Sequence, residues 1–131
     1  MSVLTKADIL GKCDRQPVEV EVPEWGGTVL VAIMSGEARD AFEAEMVASR
    51  ERGEMTKNLR ARYVARCVVD ADGNRLFDES DIPALGSKSG AALDRVYEAA
   101  LHANKVTAQD IDELEGNSSA DLSGSSTSDS P

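Results

Sequence analysis

Residues 18–34 read VEVEVPEWGGTVLVAIM, and their pattern decides the fold. Val18, Val20 and Val22 alternate with Glu19 and Glu21, the period of two expected of a strand with one apolar and one wet face. Pro23-Glu24-Trp25-Gly26-Gly27 is turn material, and Thr28 to Met34 is a β-branched run that is apolar on both faces. Residues 17–34 are therefore expected to form a β-hairpin. Val29, Val31 and Ile33 share one face of its second strand, while Leu30, Ala32 and Met34 share the other. Both faces need cover, and an unpaired edge on this strand invites another chain.

Outward from the hairpin the pattern turns helical. On the N-terminal side, Thr5 and Asp8 have capping-box spacing ahead of Ile9 and Leu10, and Gly11 can end that short helix. On the C-terminal side, Ser35 caps a helix to about Glu51, with Ala38, Phe42 and Met46 on one face. A second helix over 57–69 places Leu59, Tyr63, Val64, Cys67 and Val68 inward and Arg60, Arg62 and Arg66 away from them. Asp70 to Arg75 is turn chemistry, followed by Leu76 and Phe77 as an extended piece. Ser80 caps a single helical turn through Leu85, closed by Gly86. A longer helix spans 89–103, and a last short one begins at Thr107, with Asp110 completing its capping box. The expected fold is α+β and mostly α-helical, an N-terminal β-hairpin packed on several short to medium helices.

Residues 1–116 form the expected single globular domain. From Asn117 the chain runs NSSADLSGSSTSDSP, whose lone large apolar residue is Leu122, so 117–131 is expected to be a disordered tail or linker.

The 131-residue chain carries a net charge of −10, which repels phosphate backbones and anionic lipid. Neither nucleic acid nor membrane is an expected partner, since the longest apolar run, Val29 to Met34, is far shorter than the ~20 residues of a span. Only five side chains are aromatic, and so thin a core favours stabilisation by assembly, with a homo-oligomer as one form. Cys13 and Cys67, far apart and without a CxxC companion, read as buried thiols of a reducing compartment.

No catalytic, metal or cofactor site is expected. The single histidine, His102, rules out a two-histidine zinc site and reads as a surface or boundary residue. Asp70-Ala71-Asp72-Gly73 misses the EF-hand register, with glycine at loop position four instead of six. Gly86-Ser87-Lys88-Ser89 lacks both glycines of a phosphate loop at their required places. The basic residues Arg50, Arg52, Lys57, Arg60, Arg62 and Arg66 form either a solvated face or a site for an acidic partner.

Several segments in order do more. Val18 to Gly27, Met34-Ser-Gly-Glu-Ala-Arg-Asp-Ala-Phe42-Glu43, Asn58 to Phe77 with its Arg60-Ala-Arg62-Tyr-Val-Ala-Arg66-Cys core, Ile82 to Arg95, and Glu113 to Asn117 together resemble the tail assembly chaperones of long-tailed bacteriophages. The resemblance covers about residues 5–117. It implies a non-enzymatic helper in the cytoplasm of the bacterial host that binds and solubilises the hydrophobic, helical tape measure protein. It also implies that the tail tube protein then polymerises around the client, and that the helper does not join the mature virion. A frameshifted longer product is common in that family. Trp25, Val29, Val31, Ile33 and Phe42 are either apolar contacts or ordinary core residues, and Arg60, Arg62 and Arg66 are the candidate polar contacts. An acidic inhibitor or nucleic-acid mimic binding a basic partner is the alternative.

Overall fold

The alternation of residues 18–22 is realised as strand β1 (Val18–Val22), with Val20 and Val22 buried and Glu19 and Glu21 exposed. A computed structural model describes residues 2–116 of the chain; the expected tail lies outside them. β1 pairs antiparallel with β2 (Gly27–Val31), Val18 opposite Val31, Val20 opposite Val29 and Val22 opposite Gly27. The two strands are joined by a 3₁₀ turn, Pro23–Trp25, which Gly26 closes at φ 73°, a left-handed conformation that glycine adopts without a Cβ penalty.

The hairpin is part of a larger sheet. The expected 57–69 helix is α3 (Leu59–Cys67), and Val68–Val69 leaves it as a third strand, β3, pairing antiparallel with β2 in the order β1-β2-β3. Two β-branched residues disfavour another helical turn, and the turn that follows draws them into the sheet. The Asp70 carboxylate accepts the backbone N–H groups of Asp72 and Asn74 at 2.9 and 3.0 Å, and Leu76 N–H returns to Val68 O at 3.0 Å. β2 is thus the central strand, not the edge strand expected from its sequence. Val68 is buried beside Val31 on the core side, and Val69 is buried opposite Leu30 on the other.

α2 (Gly36–Glu51) starts at the expected Ser35 cap, whose Oγ accepts from Ala38 N–H, and buries Phe42, Met46 and Ser49. The centre of the core is Tyr63 on α3, fully buried between Phe42 and the ring of Tyr97 on α5 (Gly90–Ala103). Both ring pairs meet edge to face, at 4.9 and 5.7 Å between centroids, the arrangement the aromatic quadrupole favours. Asp78, not Ser80, caps the Glu79–Asp81 turn that leads into α4 (Ile82–Gly86). A carboxylate accepts here from both the Ser80 N–H and its hydroxyl, at 2.9 and 2.6 Å. Gly86 sits where a Cβ would lie 2.7 Å from Asn58 Oδ1, so its smallness lets α4 approach α3. α6 (Ala108–Leu114) ends the described chain, entered through the Thr107–Asp110 capping box.

α1 (Lys6–Leu10) has its capping box but buries nothing. Every residue from 2 to 19 is exposed, including Val3 at 93%, Leu4 at 62%, Ile9 at 57% and Leu10 at 77%. Cys13 belongs to this arm and is exposed, contrary to its expected burial, because none of the described residues covers the segment between α1 and β1.

Candidate functional site

An open groove of about 370 Å³ lies at the tip of the hairpin, lined by Trp25, Phe77, Asp81, Ala84, Leu85 and Lys88. The sequence builds each wall separately. The 3₁₀ turn presents the half-buried Trp25 ring, the extended stretch after the Asp70 turn brings in Phe77, and α4 contributes Ala84 and Leu85. Asp81 and Lys88 put one charge of each sign beside an otherwise apolar floor.

The tip is held in place by its neighbour in sequence. Glu24 takes a two-point hydrogen bond from Arg95 of α5, Nε to Oε1 at 3.1 Å and Nη2 to Oε2 at 3.0 Å. That contact lowers the carboxyl pKa of Glu24 and raises that of Arg95, as a charge-assisted fork should. Trp25 is therefore displayed from an anchored turn, which suits an apolar contact surface.

The expected contact residues do not gather into one surface. Trp25 lines the groove, but Val29 is half-buried on the core side of the sheet and Val31 is fully buried beside Val68. Ile33 is half-buried past the end of β2, where its carbonyl accepts from Arg15 at 3.2 Å. Phe42 is 2% exposed and belongs to the core. Contact with a partner through Val31 or Phe42 requires the fold to open.

The three arginines also part company. Arg60 is exposed, bonded to Asp94 at 3.0 Å and poised 5.5 Å above the Tyr97 ring. Arg62 folds inward instead of away from the core, donating to Ser49 Oγ at 2.8 Å and to the Met55 carbonyl. Arg66 grips Glu45 through Nε at 3.0 Å and Nη2 at 2.5 Å, with its guanidinium 6.0 Å from the Phe42 ring. Arg62 and Arg66 thus tie α3 to α2, and only Arg60 of the three is free to meet a partner by exchanging Asp94.

No local sequence pattern marks Phe77, Leu85 or Lys88 as groove residues. They converge on Trp25 through tertiary packing across some 60 positions, and the one local hint is the apolar pair Leu76-Phe77 just after turn chemistry.

The Cys67 thiol is buried and pushed up to about 12 by loss of solvation, the opposite of an activated nucleophile. Burial also raises the pKa of the Tyr63 hydroxyl, which has no hydrogen-bond partner among the described residues. His102 is exposed on the last turn of α5. Among the described residues no three His, Cys, Asp or Glu side chains are grouped as metal ligands, and no helix is long and apolar enough to cross a membrane.

The chain is an α+β domain with an open, largely apolar groove at the tip of its hairpin. No protein-family model, no curated protein and no solved structure matches this chain.

Proposed function

We propose that this chain is a tail assembly chaperone of a long-tailed bacteriophage, which holds the tape measure protein in solution while the tail tube protein assembles around it. The observation that carries the reading is the open groove with Trp25 and Phe77 in its walls, a surface suited to one apolar stripe of a helix. The net charge of −10 supports it by keeping a complex with a hydrophobic client dispersed. The setting is the host cytoplasm, and the helper leaves before the virion is complete.

The acidic-mimic alternative draws less support. Such a protein needs carboxylates free to form the contact surface. Here Asp8, Asp78, Asp81 and Asp110 close helical caps, and Glu24, Glu45 and Asp94 are paired with arginines.

Co-expression tests the reading. The tape measure protein, insoluble when made alone, stays in the soluble fraction with this chain and returns to the pellet with a Trp25→Ala, Phe77→Ala double variant. A tape measure protein that is equally insoluble with and without the wild-type chain overturns the proposal.

A further inference from the structure

β3 covers one edge of β2, so the open edge of the hairpin falls to β1. β1 lies outermost in the order β1-β2-β3, and among the described residues no backbone hydrogen bond joins residues 18–22 to anything but β2.

The register shows which of its backbone groups face out. Ala32, one residue past β2, donates its N–H to the Cys67 carbonyl at 2.7 Å, on the β3 side. Bonding direction alternates along a strand, so Gly27, Val29 and Val31 bond toward β1, and their partners Val22, Val20 and Val18 use their N–H and C=O groups inside the hairpin. Arg15 obeys the same alternation, its guanidinium donating at 3.2 Å to the Ile33 carbonyl, which points to the β1 side. Glu19 and Glu21 therefore turn an N–H and a C=O each to the open edge. Pro17, the next outward position, offers only a carbonyl.

The side chains of this edge are as specific as its backbone. Glu19 and Glu21 are exposed on the face of the sheet away from the core, and neither has an ion-pair partner among the described residues. Val18, on the core side of the same strand, is 40% exposed.

We propose that β1 takes up an extended segment of a partner protein as a further antiparallel strand, a segment that alternates basic residues, set opposite Glu19 and Glu21, with apolar residues set opposite Val18 and Val20. Backbone pairing supplies the attachment in such strand addition, and alternate side chains supply the selectivity. A cation directly across from a glutamate stabilises the pair, whereas a like charge there destabilises it. A second copy joined through β1 sets glutamate against glutamate when both outward residues pair, so the charge pattern rejects self-association and selects a basic strand. The net charge of −10 draws such a segment from a distance, and its apolar residues continue the valine face that α5 packs against. This partner differs in chemistry from the apolar helix of the groove, and the inference does not depend on the chaperone reading.

Amide hydrogen exchange of the full chain tests the geometry. In the chain alone Glu19 and Glu21 are expected to exchange fast and Val20 slowly. Three synthetic peptides are then added: one alternating valine and lysine, one alternating valine and glutamate, and the lysine peptide methylated on its lysine backbone nitrogens, which keeps the charge and removes the donors. The lysine peptide is expected to bind and to slow Glu19 and Glu21 by about tenfold or more while leaving Val20 unchanged. The other two peptides should protect neither amide, and a Glu19→Lys, Glu21→Lys double variant should prefer the glutamate peptide. A lysine peptide that does not bind, or that binds without protecting the two amides, overturns the proposal. Exchange at Glu19 and Glu21 that is already slow in the chain alone overturns it as well, and slowing that grows with protein concentration assigns the edge to a second copy instead.

Discussion

Met34 donates its backbone N–H to Asn104 Oδ1 at 2.7 Å, joining the end of the hairpin to the C-terminal end of α5. The same side chain gives its Nδ2 hydrogens to the carbonyls of Ala32 at 3.2 Å and Ala100 at 3.0 Å, while Arg39 donates to its backbone carbonyl at 2.8 Å. Asn104 is 6% exposed, so water cannot readily replace these bonds. Asn104→Ala removes the partners of the half-buried Met34 N–H and Ala32 carbonyl, while the Ala100 carbonyl keeps the backbone N–H of residue 104, and a loss of about 1–3 kcal/mol is expected in urea unfolding. A loss below about 0.5 kcal/mol would show that this junction does not hold the sheet to the helix.

Glu45 lies between two arginines, 2.5 Å from Arg66 and 3.9 Å from Arg62. These side chains are mostly buried, whereas the Arg60–Asp94 pair is about half exposed. Glu45→Ala is therefore expected to destabilise by about 1–2 kcal/mol, less than a fully buried pair would lose, and Arg60→Ala by less than about 0.5 kcal/mol. Urea unfolding of the two variants checks the order, and an Arg60→Ala that is the more damaging of the two would contradict the assignment of structural and surface roles.

The acid limb of stability has an identifiable source. Hydrogen bonds from Ser80 lower the Asp78 carboxyl pKa, and those from Thr107 lower that of Asp110. Carboxyls depressed by folding contribute stability that is complete above their ordinary value and lost as pH falls through the lowered, folded value. Thermal melting between about pH 6 and pH 2 should show this decline, and Asp78→Asn with Asp110→Asn should flatten it. An unchanged decline in the double variant would place the acid sensitivity elsewhere.

The elements legible in the sequence were those with a local cause. The valine alternation set β1 and its buried face, and hydroxyl caps at Ser35 and Thr107 started two helices where expected. β3 escaped because Val68 and Val69 continue the apolar face of α3, and only the hydrogen bonds of the Asp70 turn show that the chain has become extended. That short strand is also what makes β2 central and buries Val31, which reading the hairpin alone could not reveal. The groove was legible only through Trp25, because its other walls come from α4 and the segment before it. Arg62 was misplaced since its helical position faces outward, while its long side chain bends back to Ser49 and Met55.

The central claim, that an apolar helix of the tape measure protein enters the groove, is tested most directly by Trp25 itself. An apolar helical segment of that client is titrated into the full chain while Trp25 emission and co-sedimentation are read together. The account predicts a blue shift that saturates with binding, survives an increase from about 50 to 200 mM salt because apolar burial is weakly screened, and disappears with Phe77→Asp. Client that co-sediments while Trp25 emission stays unchanged would contradict the groove as the binding site, and client that never co-sediments would contradict the chaperone function.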